Sequence, residues 1–563
     1  MTKIFFILLI FIVPICQLRA QANNNGIIFT INDTLRGSLN NERTAWDVLQ
    51  YRITVIPDFE TKSITGKSTI VYKAIRPVYI MQIDLQQPLI VDSIVNKGAK
   101  VEFSRFNNIV RAKLIDSAIT IKFKPGKTDS VIVYYHGSPR EAINPPWDGG
   151  FIWKKDEKGR PWMGVACQGI GASVWYACKD HQSDEPDNGA ILSMIVPDSL
   201  TGVGNGKLIS KEKIKNNGKT MYKWKVVNSI NSYNIAPYIG SYVNFSDTLA
   251  GEKGLLNLNY WVLDYNLEKA KRQFTQAKLM LRAFEHWFGP YPFYEDDYKL
   301  VESPHLGMEH QSGIAYGNKY ANGYLGTDLS GTGWGKNWDF IIVHESGHEW
   351  FGNNITTNDI ADMWVHEGFA NYSEALYINY YYGRQACDEY VYGIRKNIAN
   401  DIPVIGPYGV NQSGSGDMYY KASNMLHSIR NSFGNDEIFR NYLRNLGKLF
   451  YHKNTTSKEI EKYTSAQLKF DYSKVFDQYL RTIKIPKLVF RLDNTNNTID
   501  VRWDNCVAGF NLPLIIQPTN KKLFITDKQQ TLKLNEKEME WFTKKNIESI
   551  YYVIAMKENQ VLR

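Results

Sequence analysis

The stretch Phe340-Ile341-Ile342-Val343-His344-Glu345-Ser346-Gly347-His348, followed by Glu367 within Trp364-Val365-His366-Glu367-Gly368-Phe369-Ala370, decides how this chain reads. Two histidines four apart fall on one face of a helix, one turn from each other. With Glu367 they give two imidazoles and a carboxylate, the set that holds a catalytic zinc and leaves its fourth position to water. Glu345 is turned about 100° from its histidine neighbours, toward that water and not the metal. One zinc ion is therefore the expected cofactor, held by His344, His348 and Glu367, with Glu345 as general base. The apolar run before His344 predicts a buried helix. These flanking segments weigh against the plainer explanation of histidines packed in a core.

Two further blocks join this pair. They are Gly307-Met308-Glu309-His310, upstream of the helix, and Tyr419-Tyr420-Lys421-Ala422, downstream of it. Together the segments resemble the aminopeptidase N family of zinc metallopeptidases, gluzincins with a thermolysin-like catalytic domain. The family pattern is HExxH, eighteen residues, then a glutamate within W-x-x-E-G-F-A, with G-x-M-E-N before it and Y-x-K-G after it. The resemblance extends into the N-terminal region. This chain departs from the pattern at His310, at Val365-His366 and at Ala422. None of these is a metal ligand or the base, and they bear on substrate preference only.

The resemblance implies further roles. Glu309 would take the free α-ammonium of a peptide through a charge-assisted bond, with Gln168 of Cys167-Gln168-Gly169-Ile170 as a neutral acceptor for the same amine. Gly307 and Met308 would set backbone groups along the substrate. Tyr419, two residues before Lys421, would donate to the oxyanion, with the adjacent Tyr420 as its rival. Lys421 is expected to support local structure. His310 and His366 are expected to hydrogen-bond behind their glutamates and not to bind metal. The implied function is a zinc metallo-aminopeptidase acting on peptides with a free N-terminus. An endopeptidase would share the zinc site but has no use for a carboxylate that captures an amine. An inactive relative kept as a peptide-binding protein is opposed by retention of the ligands, the base and the tyrosine. One family branch acts on a lipid epoxide, and nothing in these residues selects for that.

The implied fold is multidomain α+β, and 563 residues exceed one hydrophobic core. Residues 1–22 read as a cleaved signal peptide: Lys3, then apolar Ile4 to Ile15, then small residues at Ala20 and Ala22. An exported protein, periplasmic or secreted, is expected, and no segment is apolar enough to span a bilayer. Residues 23–247 read as a β-rich, saddle-like domain, with Asp58 to Gly66 as the first hairpin loop and Asn216-Asn217-Gly218 as a later tip. Ser232 to Pro237 resembles the family's closing strand of that domain. Residues 248–484 are the thermolysin-like α/β catalytic domain, opening with a helix from about Asn266 to Phe288. Gly326 to Gly335 reads as a mobile loop. Residues 485–563 return to period two, as a small C-terminal β-sandwich. The net charge of +9, without aromatic interleaving or a nucleic-acid motif, reads as a solvated surface. Of the mature cysteines, only Cys167 and Cys178 are placed for a local disulfide, and buried free thiols are the favoured state.

Overall fold

The computed structural model describes residues 21–22, 28–114, 126–517 and 519–558. Residues 1–20 of the expected signal lie outside the described residues, while Gln21–Ala22 pair with Ile28–Phe29. The N-terminal unit is built on an eight-stranded sheet whose centre is the long pair Trp46–Asp58 and Ser63–Ala74. Alternation of apolar and polar residues along Trp46–Asp58 buries Val48, Tyr51, Ile53 and Val55 on one face, as period-two patterning requires. Their pairing runs to Asp58 opposite Ser63, so the hairpin loop is only residues 59–62. The longer loop expected over 58–66 is corrected because Ile64 buries in the sheet's core face. A four-stranded sheet holding Gly150–Lys155 and Pro161–Ala166 packs behind it and delivers the chain to Gln168.

Two more expectations change. Ser232–Asn234 is a single 3-10 turn, not a strand, because the Asn231 side chain accepts from the Tyr233 backbone N–H; the strand begins at Tyr238. The boundary expected at 247/248 falls inside the strand Tyr242–Gly251. That strand pairs along its whole length with Gly254–Leu263 and so belongs to the second unit.

The second unit carries a five-stranded sheet in the order Tyr242–Gly251, Gly254–Leu263, Tyr298–Glu302, Ile314–Tyr316, Gly307–Met308. The last strand is the edge of the sheet, antiparallel to its one partner among the described strands. The expected helix near Asn266 is two helices, Leu267–Gln273 and Thr275–Phe288, broken at Phe274, with Gly289 at the C-cap. Residues 326–335 form no regular element until the turn Trp334–Lys336, yet Asp328 accepts from Ser330 and Gly333 and ties the loop together. The glutamate helix Trp364–Tyr382 packs against both the HExxH helix Phe340–Gly347 and the tyrosine helix Tyr420–Phe433.

After Arg481 the chain forms a four-stranded sheet, a small hairpin (Leu514–Ile516 with Lys521–Leu523), and two helices that the period-two reading did not anticipate. This C-terminal part shares one continuous apolar core with the helices of the second unit, through residues such as Tyr479, Phe510 and Tyr551. All four described cysteines are free thiols. Among the described residues no helix is long and apolar enough to cross a membrane.

Close approach of the glutamate and tyrosine helices depends on Gly368. A Cβ there would lie 2.7 Å from the Cβ of Ala422, far inside contact distance. Gly368→Ala is expected to destabilise the protein by about 1–3 kcal/mol through overpacking. Adding Ala422→Gly should restore part of the loss, read as the midpoint of thermal unfolding. Equal melting of Gly368→Ala and wild type would contradict this account of the contact.

Candidate active site

The HExxH helix starts at Asp339, whose carboxylate accepts from the backbone N–H of Ile341 and Ile342 at 3.1 and 3.3 Å. This N-cap is itself held by Tyr316, Asn318 and Gln273 at 2.7 to 2.8 Å. At its other end Gly347 lets the glutamate helix come close, since a Cβ would meet the Ser373 hydroxyl at 2.4 Å. The imidazoles are oriented through their Nδ1 atoms. His344 Nδ1 donates to Glu374 at 2.7 Å and His348 Nδ1 to the Phe351 carbonyl at 3.1 Å. Both Nε2 atoms are thereby turned toward Glu367.

The residues fit a zinc ion. His344 Nε2 and His348 Nε2 lie 3.8 and 3.3 Å from the same oxygen, Glu367 Oε2. Tetrahedral ligands at 2.0–2.2 Å from zinc stand about 3.3–3.6 Å apart, so these separations match a shared central ion. Glu367 Oε2 is buried without a hydrogen-bond partner, although two imidazole nitrogens are near. An orphaned buried carboxylate oxygen is costly unless something else satisfies it. Burial would lower the pKa of His348, but Glu367 outweighs it and raises it to about 9; the same imidazoles hold Glu367 well below the ordinary carboxylate range against its burial. This opposition of charge is what two nitrogen donors and a carboxylate show before a cation neutralises them.

Glu345 stands outside this set, beside the edge strand; a Cβ on Gly307 would lie 2.6 Å from its Oε1. Burial pushes Glu345 up to about 7, with Glu309 and Glu367 adding to the rise and the two imidazoles opposing it. The ring of Tyr419 stacks over His344 with centroids 6.1 Å apart, and its charged neighbours are Glu367, Glu309 and Glu345. The charged neighbour of Tyr420 is Glu374, on the far side of His344, although its ring also borders the cleft. Of the two tyrosines, Tyr419 has the surroundings of a donor to the reacting carbonyl. Lys421 Nζ donates to the Thr482 carbonyl at 2.8 Å, away from the site.

Glu309, Gln168 and Glu367 meet at the other end of the cleft. The Gln168 amide donates to Glu309 Oε1 at 2.7 Å and to Glu367 Oε1 at 3.0 Å, which leaves its own oxygen as an acceptor. Its loop is pinned from both units, as Arg36 and Asn411 each donate to the Gly169 carbonyl, at 2.8 and 2.9 Å. Met308 lines the cavity, of about 590 Å³, together with Gly307. His310 bonds to the Tyr238 hydroxyl and His366 accepts from the Thr357 N–H, so neither joins the metal set.

Sequence reasoning missed two residues. Glu374, which orients His344, is also bound by Asn371 and Tyr390 at 2.8 and 2.6 Å. It lies seven residues after Glu367, on the same helix face, and that spacing was a usable signal. Tyr233, from the N-terminal unit, donates to Glu309 Oε1 at 3.0 Å. Nothing local in the sequence points to it.

Removing a ligand by His344→Ala is expected to abolish zinc retention at stoichiometric metal, measured by elemental analysis after dialysis. Glu374→Ala leaves the ligands in place but frees His344 to turn, and zinc affinity should fall by roughly 10–100-fold in chelator competition. Unchanged affinity in Glu374→Ala would show that His344 needs no such orientation.

Residues 272–479 match the Peptidase family M1 domain. Similar proteins include leukotriene A-4 hydrolase of Xenopus laevis, 22% identical over 435 residues, covering 73% of this chain and 67% of that protein. Aminopeptidase Ey of Gallus gallus is 26% identical over 203 residues, 34% of this chain but only 20% of its own length. Among solved structures, an M1 zinc metallopeptidase from Deinococcus radiodurans superposes with TM-score 0.63 at 19% identity, covering 78% of this chain and 95% of that one. A mutant of the Deinococcus radiodurans M1 zinc metallopeptidase bound to a Tyr-Ser-Ala substrate gives TM-score 0.62 at 20% identity, with 78% and 95% covered. Across residues 272–479 the chain thus carries a Peptidase family M1 domain, with a donor set shaped for one zinc ion, and its fold is that of the M1 zinc metallopeptidases it resembles.

Proposed function

We propose that this chain is an aminopeptidase, removing the first residue from peptides with a free α-amine. One observation carries the reading. Glu309 is a carboxylate at 2% exposure, held by Gln168 and Tyr233, with no lysine or arginine paired to it among the described residues. Burial raises its pKa, with Glu367 adding to the rise and His348 opposing it; His348 is committed to the metal set, so no cation is dedicated to Glu309. A substrate ammonium supplies the missing charge. One relative is described as a leukotriene A-4 hydrolase; Glu309, with no lysine or arginine of its own, favours a ligand that carries an ammonium.

Zinc held by His344, His348 and Glu367 supplies Lewis acidity, polarising a carbonyl and making water more acidic. Glu309 and the Gln168 oxygen hold the ammonium, which fixes the scissile carbonyl one residue away and makes the enzyme an exopeptidase. Glu345 accepts the proton of the attacking water and passes it to the leaving amine. Tyr419 donates its hydroxyl to the carbonyl oxygen as negative charge develops there. We also propose that residues 1–22 direct export, on the strength of their charge and apolar pattern; an uncleaved N-terminus on protein retained in the host cytoplasm would overturn this.

Glu345→Gln should keep its zinc while kcat drops by roughly 10²–10⁴. Tyr419→Phe should lose roughly 10²–10³ in kcat with little change in binding, and Tyr420→Phe should be near neutral. The reverse ranking would assign the donor to Tyr420.

The exopeptidase claim is tested with matched peptides bearing free or acetylated amines. Wild type should prefer the free amine by orders of magnitude. Glu309→Gln exchanges a charge-assisted bond for a neutral one of about half the strength, so most of that preference should go while zinc content stays. Equal cleavage of both peptide forms by wild type would make the protein an endopeptidase.

A further inference from the structure

Among the described residues the edge strand Gly307–Met308 pairs only with Ile314–Tyr316, so its other edge is open to the cleft. An extended peptide can lie along such an edge. Its direction follows from three residues. Glu309, at the C-terminal end of the strand, marks the substrate's N-terminus, and Gly307 stands against Glu345, where the bond is cut. Residues beyond the scissile bond must then pass Leu306 and continue toward Pro304. Leu306 is the wall between the catalytic cavity and a second cavity of about 460 Å³. The second cavity therefore continues the substrate path on its leaving-group side.

Four lysines line this second cavity: Lys154, Lys155, Lys269 and Lys319. Lys154 donates to the Pro304 carbonyl at 2.7 Å and Lys269 to the Asn266 side chain at 3.0 Å, both neutral partners, and Lys269 also acts through space on Glu302. None of the four forms an ion pair among the described residues, and all four are exposed. The acids nearby offset them only in part. Asp156 is bound to Arg160 at 2.8 Å, and Glu302 is turned inward, accepting from Leu263 and Asn266 at 2.8 Å. Among the described acids lining the cavity, Glu157 alone forms no ion pair and accepts no side-chain bond. The two ends of the substrate path thus carry opposite charge: carboxylates where the ammonium binds and ammonium groups beyond the leaving side.

We propose that this basic cavity is a subsite for a substrate carboxylate located after the scissile bond. The carboxylate is either the C-terminus of a short peptide or an Asp or Glu side chain in a longer one. The inference rests on the aminopeptidase reading, and charge complementarity at the two ends would set both orientation and preferred substrate.

The test measures kcat/KM for tri- to pentapeptides beginning with Leu, each as free acid and as C-terminal amide. Amidated peptides with Glu at successive positions form a further arm. The free acid should be preferred by roughly 3–10-fold, through KM, as expected of partly exposed charge pairs. The preference should vanish near about 0.5 M salt, where screening is strong. A preference confined to free acids of one length assigns the C-terminal carboxylate; one that survives amidation in a Glu-containing peptide assigns the side chain. Lys155→Glu with Lys319→Glu should invert the acid-to-amide ratio, and calorimetric Kd values on a Glu345→Gln background should show the same inversion. Equal kcat/KM for acids and amides, with neutral amides still cleaved, would overturn the subsite and leave the aminopeptidase standing. No cleavage of any peptide would overturn both.

Discussion

Everything at the catalytic centre depends on one arrangement: Glu367 Oε2 and two imidazole nitrogens brought to a common point inside the protein. When the imidazoles are neutral, as metal ligands must be, nitrogen and oxygen lone pairs at 3.3 and 3.8 Å repel unless a cation sits among them. The fold holds them there by close helix packing, which Gly347 and Gly368 permit by having no Cβ at the contacts with Ser373 and Ala422. Behind the first ligands, Glu374 and the Phe351 carbonyl fix the ring orientations. The metal, once bound, offsets the cost of burying Glu367.

A second constraint is that neither unit completes the site alone. The catalytic unit provides the metal ligands, Glu345, Tyr419 and Glu309. Gln168 and Tyr233 come from the N-terminal unit and converge on Glu309. The loop carrying Gln168 is tied to both, by Arg36 on one side and Asn411 on the other. Relative motion of the units would therefore act first on the ammonium end of the cleft and least on the metal. Substrate register and metal affinity are separable properties here, because different contacts maintain them.

Charge is laid out along the cleft in a consistent order. Carboxylates cluster at Glu309, Glu345 and Glu367, and the lysines around Pro304 follow on the leaving side. The edge strand between them presents backbone groups unpaired among the described strands, which on the proposed reading would bind an extended peptide without reading its side chains. Selectivity must then come from the two ends and from the apolar walls, among them Met308, Ile360 and Met418.

Local periodicity carried much of this protein. The spacing of His344 and His348 placed both on one helix face, and alternation marked the strands Trp46–Asp58 and Lys487–Asp493, because both are properties of neighbouring residues in one element. Glu374 was within reach of the same reasoning, one helical repeat after Glu367. Local pattern failed where a long-range partner decided the conformation. Ser63 to Gly66 looks like a loop but is pulled into register by Trp46–Asp58, and Ser232–Asn234 turns because of a side-chain cap. Residue 247 seemed a boundary until strand pairing assigned Tyr242–Gly251 to the second sheet. Tyr233, the Arg36 and Asn411 clamps and the lysine-lined cavity are set by contacts between residues far apart in the chain. Such contacts leave no periodic trace, since each residue's own neighbours are silent about what the folded chain brings opposite it. The sequence alone determined the metal chemistry and the α+β build; the tertiary structure decided what surrounds the substrate.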